Sequence, residues 1–159
     1  MIAEPRRVRK LARRRIKINR ITIENPLRFD LPDKTLFIKG VETVIEQENY
    51  KNRYSISVIF VDNAFIINLN KRYFAKTSVT DVISFNYEEE FLEGEIYISF
   101  EQALRQADEH SCELREELLR LTIHGTLHLL NYEDYSPADR QKMSQLEDKY
   151  LNFYFKSIS

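Results

Sequence analysis

The stretch His124 to Asp134, HGTLHLLNYED, decides the fold of this chain. It completes an apolar segment that begins at Leu114 and carries leucine or isoleucine at nearly every helical phase. Such a segment predicts a helix that is buried on most sides, because a surface helix would show one apolar stripe. Asn131 follows this segment, and asparagine often adopts the left-handed conformation that ends a helix. We therefore expect the chain to reverse there and pass back over the helix end.

Two histidines and one carboxylate in this stretch have the spacing of a metal site. His124 and His128 are four residues apart, which places both imidazoles on one face of the helix. The predicted reversal brings Asp134 toward them and gives three ligands of a tetrahedral site with one position open for water. The alternative is two core histidines satisfied by hydrogen bonds, but the carboxylate favours the metal. Gly125 costs the helix about 1 kcal/mol relative to alanine, which indicates a close approach to the backbone.

The same spacing occurs in metalloproteases, in which a glutamate directly after the first histidine acts as general base. Here that position is Gly125, which has no side chain that could move a proton. A minimal zinc peptidase therefore stays an alternative that lacks its base.

The motif resembles the signature of the YbeY family, which is roughly H-G-x-L-H-L-x-G-Y-D-H. Two upstream segments, TDVISFN at 80–86 and GEIYIS at 94–99, resemble the family's TDVLSFP and GDI-x-IS. Met143 and Glu147 fall where the last helix of the family carries Met and Glu. The resemblance covers residues 69–150, in the order of the family.

The YbeY family consists of bacterial endoribonucleases of 16S rRNA 3′-end maturation, ribosome biogenesis and ribosome quality control. The resemblance implies an α+β fold in which a small mixed four-stranded sheet packs with about five helices, the central buried helix carrying the metal motif. It implies one Zn²⁺ per chain, held by His124, His128 and Asp134, which would be the catalytic residues through the metal and its water. Bound zinc would lower the pKa of that water toward ~7 and supply a nucleophile. The implied substrate is single-stranded RNA, and the implied partners are rRNA, the small ribosomal subunit and ribosome-associated proteins.

Three positions depart from the family pattern. Asn131 replaces its second glycine, which a left-handed cap tolerates. Asp134 replaces its third histidine, and a carboxylate oxygen is an acceptable zinc ligand. Phe74 stands where family members usually carry an arginine that faces the cleft. This last departure favours an alternative from another class, a non-enzymatic zinc-containing ribosome-assembly factor.

Candidate RNA contacts lie on both sides of position 74 and in the turn that follows. Arg72 and Lys76 flank the phenylalanine and are candidates for the phosphate contact. From the resemblance, Thr80 and Asp81 line the cleft beside the metal, although both residue types also commonly bond local backbone groups in turns. Glu95 is either a solvated strand residue or a carboxylate near the site. No residue of the sequence stands out as the general base.

Charge and composition indicate one domain with a basic arm. At 159 residues and 43% hydrophobic content, the chain is long enough for one proper core, expected over 16–159. Residues 1–20 contain nine Lys/Arg and one Glu, whereas the rest of the chain has a net negative charge. This distribution predicts that 1–15 forms a flexible basic arm that could bind the phosphates of a nucleic acid. An Arg-rich, acid-poor composition is also typical of organellar transit peptides. A further alternative is that these residues are not needed by the domain. No apolar run approaches the ~20 residues that span a bilayer, so we expect a cytoplasmic protein without a membrane partner.

Periodicity and caps predict the remaining elements. They are a strand over 16–23, a helix over 34–48 capped by Asp33, a strand over 54–61, a helix over 63–74, strands over 82–86 and 95–99 joined by the acidic loop EEEFLEG, a helix over 100–108, and a last helix that begins at Pro137 with Ser136 as its cap. His110 is expected to be a surface or capping residue.

Overall fold

The computed structural model describes residues 19–158. Its four strands are β1 (Arg20–Glu24), β2 (Tyr54–Val61), β3 (Val82–Asn86) and β4 (Leu92–Ser99). Its five helices are α1 (Lys34–Gln47), α2 (Asn63–Phe74), α3 (Phe100–Glu109), α4 (Leu114–Leu129) and α5 (Pro137–Ile158). The prediction of an α+β fold with a small mixed sheet and about five helices is confirmed. In this range no helix has both the length and the apolar character that crossing a membrane requires.

Most predicted boundaries agree with these elements, and two of the predicted caps are present. The Asp33 carboxylate accepts from the Thr35 amide at 2.9 Å, and the Ser136 hydroxyl accepts from the Asp139 amide at 3.0 Å. The first predicted strand, 16–23, overlaps β1 at 20–23. Asn19 is not part of the strand, and residues 16–18 lie outside the described range. The basic arm over 1–15 lies there too, so the division into arm and domain stays a prediction.

The strand β4 corrects one boundary, since it begins at Leu92 rather than at Glu95. All eight of its residues are buried, glutamates included. Its first residues continue the register with β2, where Leu92 pairs with Tyr54 and Gly94 pairs with Ile56. The acidic connection to β3 is therefore shorter than predicted, because sheet pairing outweighs the low strand propensity of glutamate and glycine.

The sheet has the order β1-β2-β4-β3, in which β3 alone is antiparallel to its neighbour. Helices α1, α4 and α5 pack together on one face and enclose the larger core. Helix α2 contributes to a smaller core on the opposite face, which includes Ile59, Ile66, Leu69 and Tyr97. Helix α4 contacts α1, α3, α5, β3 and β4, so the predicted central helix is confirmed.

Close packing and two side-chain hydrogen bonds fix α4 on the antiparallel edge of the sheet. A Cβ atom on Gly125 would overlap the side chain of Ile96, which confirms the predicted close approach. The Ser84 hydroxyl donates to the carbonyl of Gly125 at 2.9 Å, and the Asn86 amide donates to the carbonyl of Leu129 at 3.2 Å. The depth and the rotation of α4 are thereby set by β3.

Candidate metal centre

The reversal after α4 has the hydrogen bonds of a Schellman motif. Asn131 has a φ of 72°, as predicted for a left-handed cap. Its amide donates to the carbonyl of His128 at 3.0 Å, and the amide of Tyr132 donates to the carbonyl of Leu127 at 3.1 Å. These bonds satisfy two carbonyls that the helix end would otherwise leave open. The chain after Tyr132 therefore returns toward the histidines, as the sequence predicted.

Three ligand atoms meet at the end of α4. The Nε2 atoms of His124 and His128 are 2.9 Å apart, and each lies 3.4 Å from Oδ2 of Asp134. Bonds of about 2.0–2.1 Å to a tetrahedral zinc ion place neighbouring ligand atoms about 3.3 Å apart. The triangle thus has the size of one face of a zinc coordination sphere. Within residues 19–158, these three form the one group of His, Cys, Asp and Glu side chains with metal-site spacing.

Hydrogen bonds at the outer nitrogens orient both imidazole rings. Nδ1 of His124 lies 2.8 Å from Oε2 of Glu147, and Nδ1 of His128 lies 2.9 Å from the carbonyl oxygen of Tyr132. A carboxylate and a carbonyl only accept hydrogen bonds, so each Nδ1 carries the hydrogen. Each Nε2 of a neutral ring then directs a lone pair toward the other and toward Asp134. Facing lone pairs and a carboxylate suit a bound cation, and such outer partners are typical of metal-binding histidines.

The loop that carries Asp134 is itself attached to two helices. The Tyr132 hydroxyl donates to one carboxylate oxygen of Glu48, and the Tyr150 hydroxyl donates to the other. Glu48 follows the C-terminus of α1 and Tyr150 lies in α5. The Lys142 ammonium lies 5.4 Å from the centre of the Tyr132 ring. Because the Tyr132 carbonyl orients His128, this connection also fixes one of the imidazoles.

The two imidazoles differ in their electrostatic surroundings. Burial by itself acts to lower the pKa of both rings. For His124, the hydrogen bond and charge of Glu147 outweigh burial, so its pKa is raised above 6.5. The carboxylates of Asp81 and Asp134 add to this effect. For His128, burial and the neighbouring His124 keep the pKa below 6.5. Negative charge is therefore concentrated on the His124 side, where it also favours a cation.

Two clefts open beside the triangle. The His128 cleft has a volume of about 480 Å³, and its lining includes Phe74, Lys76, Thr80 and Tyr135. The His124 cleft has a volume of about 310 Å³, and its lining includes Asp81, Arg120, Asp134, Arg140 and Glu147. Both volumes are in the range of small-ligand sites.

Comparison with known proteins identifies the family. The family model described as Endoribonuclease YbeY matches residues 24–154. The chain belongs to the YbeY family. A Flavobacterium psychrophilum protein named Endoribonuclease YbeY is 36% identical over 135 residues, which is 84% of this chain and 96% of that protein. One of the same name from Endomicrobium trichonymphae is 42% identical over 113 residues, which is 71% of this chain and 79% of that protein.

A solved structure agrees with this membership. The solution structure of a Thermotoga maritima protein superposes with a TM-score of 0.56 at 27% identity, covering 82% of this chain and 86% of the other. The resemblance read from the motifs is confirmed, and the chain is a member of a family of enzymes named as endoribonucleases.

Of the two candidate RNA contacts that flank Phe74, only one lines a cleft beside the triangle. Phe74, at the position of the arginine expected from YbeY relatives, is 47% exposed and stacks on Phe85 with ring centres 5.9 Å apart. Lys76 lines the His128 cleft with it. The Arg72 guanidinium lies 5.9 Å from the centre of the Tyr73 ring, and Arg72 lines neither cleft. Of these two cations, Lys76 and not Arg72 therefore lines a cleft that reaches the triangle.

The turn after this segment lies against both clefts. Thr80 lines the His128 cleft and Asp81 the His124 cleft. The Thr80 hydroxyl donates to Asp81 Oδ1 at 3.4 Å, which is a contact between two side chains and not the expected bond to a local backbone group. Oδ2 of Asp81 accepts from the Gln106 amide at 3.1 Å. Contact of either residue with RNA stays a prediction.

Both sequence-based interpretations of Glu95 are wrong. The residue is 5% exposed and accepts hydrogen bonds from the hydroxyls of Tyr87 and Tyr97. Its neighbour Ile96 contacts α4, so Glu95 points to the opposite face of the sheet, away from the triangle. Burial raises its pKa above 4.5, although both tyrosines act in the other direction. His110, in contrast, ends α3 and is exposed, as predicted.

The sequence interpretation assigned no role to Glu147, which the structure places against His124. A signal for it was available. Met143, one turn earlier in α5, is a core position with 2% exposure, so a carboxylate at the same helix face must be buried and partnered.

Proposed function

We propose that this YbeY-family protein is a zinc-dependent, single-strand-specific endoribonuclease that acts in the cytoplasm on the 3′ end of 16S rRNA, in ribosome biogenesis and quality control. The observation that carries the proposal is the triangle of His124, His128 and Asp134 between two open clefts. The names of the YbeY relatives supply the substrate class. The proposed partners are rRNA, the small ribosomal subunit and ribosome-associated proteins.

His124, His128 and Asp134 would hold the zinc ion, and they are the proposed catalytic residues through it. When bound, zinc activates water as a nucleophile and polarises a phosphoryl oxygen. The chain's own contribution is orientation. Glu147 and the Tyr132 carbonyl keep both rings in the tautomer that binds metal, and the turn at Asn131 keeps Asp134 in reach.

The His128 cleft suits an unpaired nucleotide. Phe74 offers the face that is not stacked on Phe85, and Tyr135 is 80% exposed. Exposed aromatic rings beside a cation, here Lys76, are typical of single-strand sites, because every unpaired base can stack. Bases of a duplex are stacked on each other and cannot do so. Thr80 and Asp81 are proposed to contact the same strand, while Arg72 would do so only beyond the clefts.

The test compares one RNA sequence in two forms. Zinc-loaded protein is expected to cleave the single strand and to leave the matched duplex intact, whereas His124→Ala should abolish cleavage and release the zinc. Elemental analysis of both proteins accompanies the cleavage assay. Cleavage by a zinc-free His124→Ala variant at the wild-type rate would refute the proposal.

One observation favours a second candidate, the non-enzymatic ribosome-assembly factor. Phe74 replaces the arginine of the family pattern and brings no charge to the cleft. Zinc-loaded protein that binds single-stranded RNA without cleaving it would support this candidate. The structure also argues against the peptidase alternative. Gly125 packs so closely against Ile96 of the sheet that a glutamate side chain, the general base of such peptidases, would not fit there. A casein assay without turnover would dismiss it.

A further inference from the structure

The His124 cleft is strongly acidic, which is unusual for a surface that faces RNA. Its lining contains five carboxylates, from Asp81, Glu109, Glu117, Asp134 and Glu147. It also contains two arginines, Arg120 and Arg140. A phosphodiester that reaches the triangle from this side therefore needs a cation whose charge is not already neutralised by those carboxylates.

Arg120 is not that cation. Its Nη1 atom lies 2.9 Å from Oδ1 of Asp148 and 3.5 Å from Oε1 of Glu147. Its side chain is 25% exposed. Two carboxylates thus neutralise the guanidinium, and its place in the structure is to support Glu147 behind His124.

Arg140 has a different environment. Its Nη1 atom donates to two main-chain carbonyls, those of Tyr135 at 2.8 Å and of Asp134 at 3.4 Å. Within residues 19–158 no carboxylate lies at ion-pair distance from it, and the residue is exposed. Neutral carbonyls orient the guanidinium without cancelling its charge. They also fix it to Asp134, one corner of the triangle.

We propose that Arg140 binds a phosphate of the RNA strand at the entrance of the His124 cleft. The inference rests on the proposed function in that the ligand is RNA. A guanidinium can bind two phosphate oxygens through parallel N–H groups, and the two carbonyls leave Nη2 and Nε for this purpose. Arg140, in the first turn of α5, brings this charge to the His124 cleft, whereas position 74 lines the His128 cleft.

A purely structural role for Arg140 makes different predictions. If its only task were to hold the loop at Asp134, its loss would lower zinc affinity and would leave the salt dependence of RNA binding unchanged. A phosphate contact, in contrast, releases counterions from the strand. Removing it makes the plot of log affinity against log salt shallower by about 0.7 on single strands.

The experiment uses full-length zinc-loaded protein, a single-stranded RNA oligonucleotide, and three variants. Arg140→Gln removes both the positive charge and the guanidinium that can bind two phosphate oxygens, whereas Arg140→Lys keeps the charge alone. The control, Arg115→Gln, removes an exposed arginine that lines neither cleft. We expect kcat/KM of Arg140→Gln to fall about 10- to 100-fold, with a shallower salt slope and unchanged zinc content. Arg140→Lys should restore the slope and part of kcat/KM, and Arg115→Gln should match wild type.

The binding measurement separates this inference from the proposed function. If wild type binds the RNA without cleaving it and Arg140→Gln still lowers the slope, the nuclease proposal fails and the phosphate site stands. If wild type cleaves and Arg140→Gln matches Arg115→Gln in slope and kcat/KM, the phosphate site is overturned. A variant that loses zinc with an unchanged slope also overturns it, in favour of the structural role. Wild type that does not bind the RNA overturns both.

Discussion

Removing the carboxylate behind His124 should weaken zinc binding without removing a ligand. Glu147 accepts from Nδ1 of His124 at 2.8 Å, and its side chain is 11% exposed. Water therefore has little access to replace this acceptor. In Glu147→Ala the imidazole loses its orienting partner, and Arg120 loses one of its two carboxylates. In Glu147→Gln an amide oxygen can still accept from Nδ1, but without the charge that makes the ring a stronger donor to the metal.

Outer partners of metal-bound histidines are typically worth 10- to 100-fold in metal affinity, or about 1.4–2.7 kcal/mol. Because this contact is charged and shielded from water, we expect Glu147→Ala to lower the zinc affinity by about 100-fold, near the upper end of this range. Glu147→Gln should lie near the lower end, about 10-fold.

Zinc dissociation constants measured by chelator competition at constant pH test this reasoning. Asp148→Asn is the matched control, because it removes the adjacent carboxylate of the same helix, which also pairs with Arg120 but is 59% exposed and does not contact His124. Circular dichroism checks that each variant is folded. If folded Glu147→Ala binds zinc as tightly as Asp148→Asn, the carboxylate does not orient the metal-binding ring.

Three further predictions concern RNA binding and stability. Phe74→Arg should raise the affinity for single-stranded RNA or its cleavage, because an arginine there can hold a phosphate through two parallel hydrogen bonds. If Phe74→Arg adds nothing and neither Arg72→Ala nor Lys76→Ala weakens cleavage, no cation acts on the RNA from this segment. Glu95→Gln should make the free energy of unfolding less dependent on pH. Burial raises the pKa of Glu95 above 4.5, so the folded state favours the protonated form and wild type loses stability as the pH rises from 4.5 through the folded-state pKa. Urea titrations that give both proteins the same pH slope would contradict this. Deleting residues 1–15 should make the salt dependence of RNA binding shallower by about 0.7 for each phosphate that the arm neutralises in the full chain, and an unchanged dependence would show that the arm does not touch the strand.

The site was predictable where its geometry is local. Two histidines four residues apart share a helix face whatever the rest of the fold does. The left-handed asparagine after the helix is equally local, since its conformation depends on a few neighbouring bonds. Together they determined the meeting of His124, His128 and Asp134 before any tertiary contact was known.

Contacts between distant segments were not predictable in this way. Glu95 alternates with apolar residues in β4, a pattern that normally indicates a solvated face. That face is instead buried against α2, and the hydroxyls of Tyr87 and Tyr97 supply the partners. Arg140 likewise gains its position from carbonyls whose direction only the folded loop determines. Strand boundaries failed for the same reason, since the start of β4 depends on pairing with β2.

The position of α5 after the motif affects when the centre becomes complete during synthesis. Chains leave the ribosome from their N-terminus and fold largely in that order. A nascent chain that has exposed residues up to Asp134 therefore holds all three candidate ligands, while Glu147 and Tyr150 are still inside the tunnel or not yet made. Its His124 ring has no outer partner, and Glu48 lacks one of its two tyrosines. In the proposed enzyme, full metal affinity would therefore require that α5 has emerged from the ribosome and docked against His124 and Glu48.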